Sequence, residues 1–181
     1  MNKWRVSTLL PVTLFAGIAA SMAFGLNHDP KVIPSMLLDR PIPQFILPAL
    51  QTSLPGLDSG KFSKHGLILV NVFASWCSSC RYEHPFLMRI AGDKRFKLVG
   101  MDWKDTADHG NEYLATFGNP YSAIGTDESG RTGIDLGVSG VPETFVVDLE
   151  GRVRLRVPGP MTPEIWSAEI EPLIQMAAKS P

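Results

Sequence analysis

Cys77 and Cys80 are the two cysteines of the chain, and both lie in the run Trp76-Cys77-Ser78-Ser79-Cys80. That spacing suits thiol–disulfide exchange. A second thiol three residues on lies about one helical turn away, close enough to attack a disulfide made by the first. A strand-to-helix turn would strengthen this reading. The unpaired backbone N–H groups of a helix start favour an anion and so lower the pKa of a thiol placed there. An inert structural disulfide is the competing reading, but closing so short a loop adds little stability. Two cysteines are too few for a disulfide-rich scaffold or an all-cysteine zinc site.

The surrounding sequence supplies the turn. Residues 67–74 form an apolar run with β-branched side chains, as in a buried central strand. Residues 77–90 carry Tyr82, Phe86, Leu87 and Ile90 at helical spacing. Residues 97–103 read as a second buried strand. Residues 106–117 read as a helix with Tyr113, Leu114 and Phe117 on one face and Gly118 as its stop. Gly110 weakens that helix. A short strand is expected over 121–126 and a short helix over 130–136. Strands over 144–148 and 153–157 are joined by Glu150-Gly151, a hairpin signal. Thr162, Pro163 and Glu164 fit the N-cap, first position and first turn of a closing helix. Upstream, residues 44–50 read as an edge strand ended by Pro48, and 53–66 as turn and loop. This order predicts an α/β fold, a mixed central sheet with helices on both faces.

The chain has 181 residues, 44% of them apolar, and a formal net charge of −1, so bulk electrostatics make no case for nucleic acid. Its N-terminus differs from the rest. Lys3 and Arg5 precede an uncharged stretch over residues 6–27, long enough to cross a bilayer core, which needs roughly 20 residues. The basic flank places the N-terminus in the cytoplasm and exports the remainder. A cleaved signal peptide is the rival reading, with small residues at Ala19-Ala20-Ser21 and Ser21-Met22-Ala23. The apolar run continues past both, to Phe24 and Leu26, which favours an uncleaved anchor. The expected organisation is an anchor over 1–27, a stiff linker over 28–43 with Pro30, Pro34, Pro41 and Pro43, and a folded domain over 44–181. Arg152, Arg154 and Arg156 alternate with Val153, Leu155 and Val157, the period of a strand with its charged face in water.

Four features resemble the thioredoxin superfamily: the strand over 67–74, the Trp76-Cys77-x-x-Cys80 turn, Pro85 inside the next helix, and Val141-Pro142 before a strand. Pro142 matches the family's cis-proline, which faces the cysteines and helps bind an extended substrate. The blocks at 76–84, 99–105, 118–121 and 136–145 look like the thioredoxin-like proteins of cytochrome c maturation, the CcmG/DsbE type. That resemblance implies an inner-membrane, single-pass protein with its C-terminal domain in the periplasm. It implies a membrane thiol reductase as electron donor, and apocytochrome c or its thiol carrier as acceptor. It implies no cofactor. Within it, Cys77 is the candidate nucleophile and Cys80 the resolving thiol of a redox-active Cys77–Cys80 disulfide. A general periplasmic thiol reductase is the nearest alternative.

Several residues around the motif carry expectations of their own. Trp76 is expected to shape the surface around the thiols. Serine hydroxyls at Ser78-Ser79 could hydrogen-bond a thiolate. Asn71 stands where thioredoxin has a buried aspartate that moves protons. Glu83 and Glu143 are then the nearest carboxylates. The expectation is that both face the thiols and raise their pKa by like-charge repulsion, making the pair more reducing. The rival reading is two solvated surface glutamates. His84, four residues after Cys80, could join both cysteines as soft metal ligands, the basis of a copper-binding alternative. Copper chaperones of this fold use a distant histidine, for which His109 is a candidate. No metal is expected in the leading reading. His28 and His65 read as surface residues. The same family resemblance implies that residues 102–105 begin an insertion beside the active site.

Overall fold

The computed structural model describes residues 3–26, 37–64 and 66–179, which excludes His28, His65, Pro30 and Pro34. The chain divides into two units, residues 1–34 and 35–181. The first holds one helix, α1 (Lys3–Leu26), with Pro11 inside it. Among the described residues, no helix is long and apolar enough to cross a membrane. The spanning role expected of residues 6–27 is therefore not read from the structure.

The second unit is built on a five-stranded mixed sheet. Its strands are β3 (Leu67–Phe73), β4 (Phe96–Trp103), β5 (Ile124–Asp127), β6 (Glu143–Val147) and β7 (Val153–Pro158), in the order β5-β4-β3-β6-β7. β3 lies at the centre, parallel to β4 and antiparallel to β6. All seven of its residues are buried, which explains its unbroken apolar run. Burying each large apolar side chain contributes about 1.5–3 kcal/mol relative to leaving it exposed.

Each face of the sheet has its own core. Leu67, Leu69 and Phe73 of β3 pack with Leu87, Tyr113, Leu114, Ile170 and Ile174. Those partners come from α2 (Ser78–Ile90), α3 (Ala107–Phe117), a π-helical turn (Trp166–Ile170) and α6 (Glu171–Lys179). On the other face, Ile68, Val70 and Val72 pack with Leu47, Leu57, Phe62 and Leu136. That face is covered by a two-stranded ribbon, β1 (Ile46–Leu47) with β2 (Leu57–Asp58), a 3-10 helix (Ser59–Lys64) and the short α4 (Arg131–Asp135). The three longest helices of this unit thus share one face.

Most element boundaries follow local signals. Thr106 caps α3, accepting from His109 N–H, and Gly118 ends it at φ 91°, a left-handed conformation that glycine adopts without strain. Gly110, expected to weaken α3, is required there: a Cβ would collide with the Asp102 carboxylate. Thr162 caps α5 (Pro163–Ile165) through Ile165 N–H. The closing helix then widens into the π turn just before Pro172, which lacks an N–H to donate back.

The sequence expectations fail mainly at the periphery. The strand expected over 44–50 shrinks to Ile46–Leu47, and the loop expected over 53–66 contains both β2 and the 3-10 helix. Two-residue strands carry too little periodicity to read. The end of the expected linker is packed: Asp39 N–H donates to Val153 O at 2.8 Å, Ile42 N–H donates to Gly151 O at 2.8 Å, and Ile42 is buried. The folded unit therefore begins before residue 44.

Candidate active site

β3 ends at Phe73 and α2 begins at Ser78, so the motif occupies the turn between them. Cys77 is the N-cap, with extended backbone, and its sulfur accepts from Cys80 N–H at 3.0 Å. Cys77 and Cys80 form a disulfide with Cα atoms 5.3 Å apart. Cys77 is 5% exposed and Cys80 1%, so the sulfur nearer the helix start is also nearer solvent. Ser78 and Ser79 are exposed.

The end of β4 braces this turn. Trp76 is 57% exposed, yet its indole N–H donates to Lys104 O at 3.0 Å. The buried Asp105 carboxylate accepts from Ser75 N–H at 2.6 Å. The 102–105 segment expected beside the active site thus grips the residues just before Cys77.

Val141–Pro142 is a cis peptide bond. Val72 lies directly across from Glu143, so Pro142 is level with the end of β3, at the same end of the sheet as the cysteine turn. Its carbonyl accepts from Gly159 N–H at 2.9 Å.

Glu83 lies on the same helical face as Cys80, three residues on, and is 1% exposed. The Asn71 side-chain amide Nδ2 donates to its Oε1 at 2.8 Å, and Met161 backbone N–H to its Oε2 at 2.6 Å. Burial pushes the Glu83 pKa up to about 7, against the pull of those two donors. It is not a solvated surface glutamate. A carboxyl poised near neutrality beside Cys80 can hold or release a proton during exchange.

Glu143 is buried too, but it does not face the thiols as expected. It shares the face of its direct partner Val72, whereas Cys77 and Cys80 pack in the opposite core with Phe73. There it is paired with Arg156 and accepts from Ser139 N–H at 3.0 Å. Arg156 also donates to Ser139 Oγ at 2.9 Å, and its side chain is 8% exposed. Repulsion of the thiols by Glu143 is therefore withdrawn, since its charge is balanced on the far side of the sheet. Arg156 likewise leaves the expected solvated stripe.

His84 does not stand as a metal ligand. Both ring nitrogens are engaged: Nε2 lies 3.1 Å from Gly118 O and Nδ1 3.1 Å from Tyr113 Oη. A carbonyl only accepts, so Nε2 carries the hydrogen and Nδ1 accepts from the tyrosine. Burial lowers the His84 pKa and keeps the ring neutral. His109 is exposed, 3.7 Å from Asp105. Among the described residues, no group of three or more His, Cys, Asp or Glu could hold a metal.

Comparison with known proteins agrees with this geometry. Residues 38–172 match the Redoxin family. The chain belongs to the Redoxin family. It is 42% identical over 178 residues to the thiol:disulfide interchange protein DsbE of Allochromatium vinosum, covering 96% of each chain. It is 39% identical over 167 residues to the thiol:disulfide interchange protein HelX of Rhodobacter capsulatus, covering 91% of this chain and 93% of that one. Among solved structures, a thiol:disulfide interchange protein of the thioredoxin family from Chlorobium tepidum aligns with TM-score 0.57 and 25% identity, over 76% of this chain and 94% of the other. This Redoxin chain is a thiol:disulfide oxidoreductase with a thioredoxin-like fold.

Two residues of this Redoxin site escaped the sequence reading. Tyr121, expected to open a strand, instead precedes β5 and is buried, with its hydroxyl donating to Asn71 Oδ1 at 2.7 Å. Asp102 is fully buried, and its carboxylate oxygens have no hydrogen-bond partner among the described residues. Burial first, and the nearby Asp105 charge second, push its pKa up to about 8. An acidic residue inside an apolar strand run was the available signal for Asp102. Nothing local marked Tyr121, whose partner lies 50 residues away.

Proposed function

We propose that this oxidoreductase works as a reductant in the periplasm, held to the inner membrane by residues 6–27. Electrons come from a membrane thiol reductase and pass to the haem-attachment cysteines of apocytochrome c, directly or through a thiol carrier. Reduced Cys77 attacks the acceptor disulfide and forms a mixed disulfide. Cys80 then attacks the Cys77 sulfur, releasing the acceptor as a dithiol and leaving Cys77–Cys80 oxidised. Two electrons and two protons move to the acceptor. Pro142 and Trp76 frame the surface where the extended acceptor lies.

The observation that carries the reducing direction is Glu83. A buried carboxyl one turn from Cys80 disfavours a thiolate there once it is ionised, which stabilises the disulfide and makes the dithiol a better donor. The pathway is supported by the four sequence blocks that resemble cytochrome c maturation proteins. The anchor is supported by the uncharged stretch over 6–27 behind Lys3 and Arg5.

Redox equilibration with glutathione tests the direction. A potential near thioredoxin's, roughly −270 mV, is expected; a value near −120 mV, typical of strong oxidants, would reverse it. The pathway is tested with a Cys80→Ala chain, which accumulates mixed disulfides through Cys77. Apocytochrome c or a dedicated thiol carrier is expected in that trap. Recovering a broad set of unrelated periplasmic thiol proteins would replace the pathway with general thiol reduction.

A further inference from the structure

Tyr121 ends a buried polar chain, centred on Asn71, that the exchange chemistry does not by itself require. Its ring stacks on Phe73, with centroids 5.1 Å apart. The ring also lies over Gly100, where a Cβ would come within 2.9 Å of it. Its hydroxyl donates to Asn71 Oδ1, and Asn71 Nδ2 donates both to Glu83 Oε1 and, at 3.1 Å, to Thr144 Oγ1.

An asparagine amide can flip, exchanging its oxygen and nitrogen. An ionised Glu83 opposes the flip, because Oδ1 would then face a carboxylate oxygen, and Tyr121 opposes it whether Glu83 is charged or neutral. A buried tyrosine hydroxyl needs an acceptor, and Asn71 Oδ1 is the acceptor that Tyr121 has among the described residues. With Oδ1 committed to Tyr121, Nδ2 must face Glu83. Met161 N–H already occupies the other carboxylate oxygen. Neither donor can accept a hydrogen, so a proton on Glu83 has to use a remaining lone pair. If Asn71 flipped, its Oδ1 would face Glu83 and accept the acid hydrogen directly.

We propose that Tyr121 is a positioning residue for the thiol–disulfide reaction, acting through Asn71 to fix which hydrogen bonds the Glu83 carboxyl accepts. The inference rests on Glu83 as the proton-carrying neighbour of Cys80 and not on any pathway, so a trap that holds no cytochrome partner leaves it intact. The groups facing Glu83 are Asn71 of β3, Met161 N–H, Tyr113 of α3 and Tyr121, with Thr144 of β6 bonded to Asn71, Asp102 of β4 acting on Tyr121 and Arg81 of α2 on Tyr113. Both tyrosines have pKa values raised by burial, so they stay neutral through the range in which Glu83 titrates.

The test uses the full-length chain in detergent, labelled with carboxyl-13C glutamate and oxidised, so that neither cysteine titrates. The Glu83 resonance, assigned by its loss in Glu83→Gln, gives the carboxyl midpoint. Tyr121→Phe removes only the hydroxyl, frees the amide to flip and is expected to raise that midpoint by about half a unit to one unit. Tyr113→Phe removes a buried hydroxyl that serves His84, and is expected to leave it unchanged. In an Asn71→Ala background, Tyr121→Phe is expected to have no further effect. The pH profile of exchange with glutathione should move in step with the midpoint. An unmoved midpoint in Tyr121→Phe, an equal shift in Tyr113→Phe, additivity with Asn71→Ala, or an unmoved exchange profile would each overturn the proposal.

Discussion

Glu83 reaches β3 from helix α2 on one face of the sheet, while Glu143 opens β6 directly across from Val72 on the other. Both carboxylates are withdrawn from water, at 1% and 0% exposure. What differs is the company they keep. Glu143 meets a guanidinium and a backbone N–H. Among the described residues Glu83 meets only neutral donors, a side-chain amide and a backbone N–H. Burial sets the cost of a charge, and the partner decides whether the charge is kept or given up. The thiol face therefore holds a carboxyl that titrates near neutrality. The opposite face holds an ion pair that joins β6 to β7.

That contrast can be broken most forcefully at Arg156. Arg156→Met strands a buried Glu143 and should destabilise the chain by about 3–5 kcal/mol, read from urea denaturation. The double variant with Glu143→Gln should recover much of the loss. A small effect of Arg156→Met alone would mean that the far-face carboxylate does not depend on its partner.

Glu83 predicts the next largest effect, and one that depends on pH. The folded chain holds the Glu83 proton up to about pH 7, while the ordinary value for the free side chain is 4.5. The folded state thus binds the extra proton between those values. The associated stability is full below about pH 4.5 and lost as the pH rises through 7, about 3 kcal/mol in all. Melting curves for Glu83→Gln should lack this decline between pH 4 and 8. If the variant declines as steeply as the parent, Glu83 is not the group responsible.

Asp102 extends the same logic to a buried acid with no partner among the described residues. Its proton is retained to about pH 8, so its contribution is likewise full at low pH and lost on ionisation. Asp102→Asn should gain stability relative to the parent as the pH rises from 5 to 8, by about 1.4 kcal/mol for each pH unit. The smallest effect belongs to Arg154, on the same strand as Arg156 but with a side chain 45% exposed. Arg154→Ala should cost less than about 1 kcal/mol despite its contacts with Asp39 and Asp148. Equal losses at Arg154 and Arg156 would erase the distinction between screened and buried pairs.

Much of this molecule could be read along the chain. The strand at 67–73, the helix after it, the capping threonines and the Gly118 stop all rest on interactions within a few residues, and local sequence encodes those directly. The placement of Cys77 and Cys80 at a helix start follows from the same local rules. The ribbon of β1 and β2 was not legible, because two-residue strands are held by partners ten or more positions away. Glu143 was misjudged, and the copper alternative built on His84 fell away, for a related reason. Sequence distance to the cysteines is short for His84, yet its ring nitrogens are engaged by Tyr113 and Gly118. Glu143 follows the candidate cis-proline, yet strand alternation turns its side chain away from the thiol face.

The sequence alone determined that a dithiol sits at a strand-to-helix turn, because spacing, apolar periodicity and helix-start chemistry are properties of neighbouring residues. Only the tertiary structure decided which acid attends that dithiol. A carboxylate's charge depends on burial and on partners drawn from distant strands. Asn71, Met161 and Arg156 reach their glutamates, and Tyr121 reaches Asn71, only when the sheet has closed.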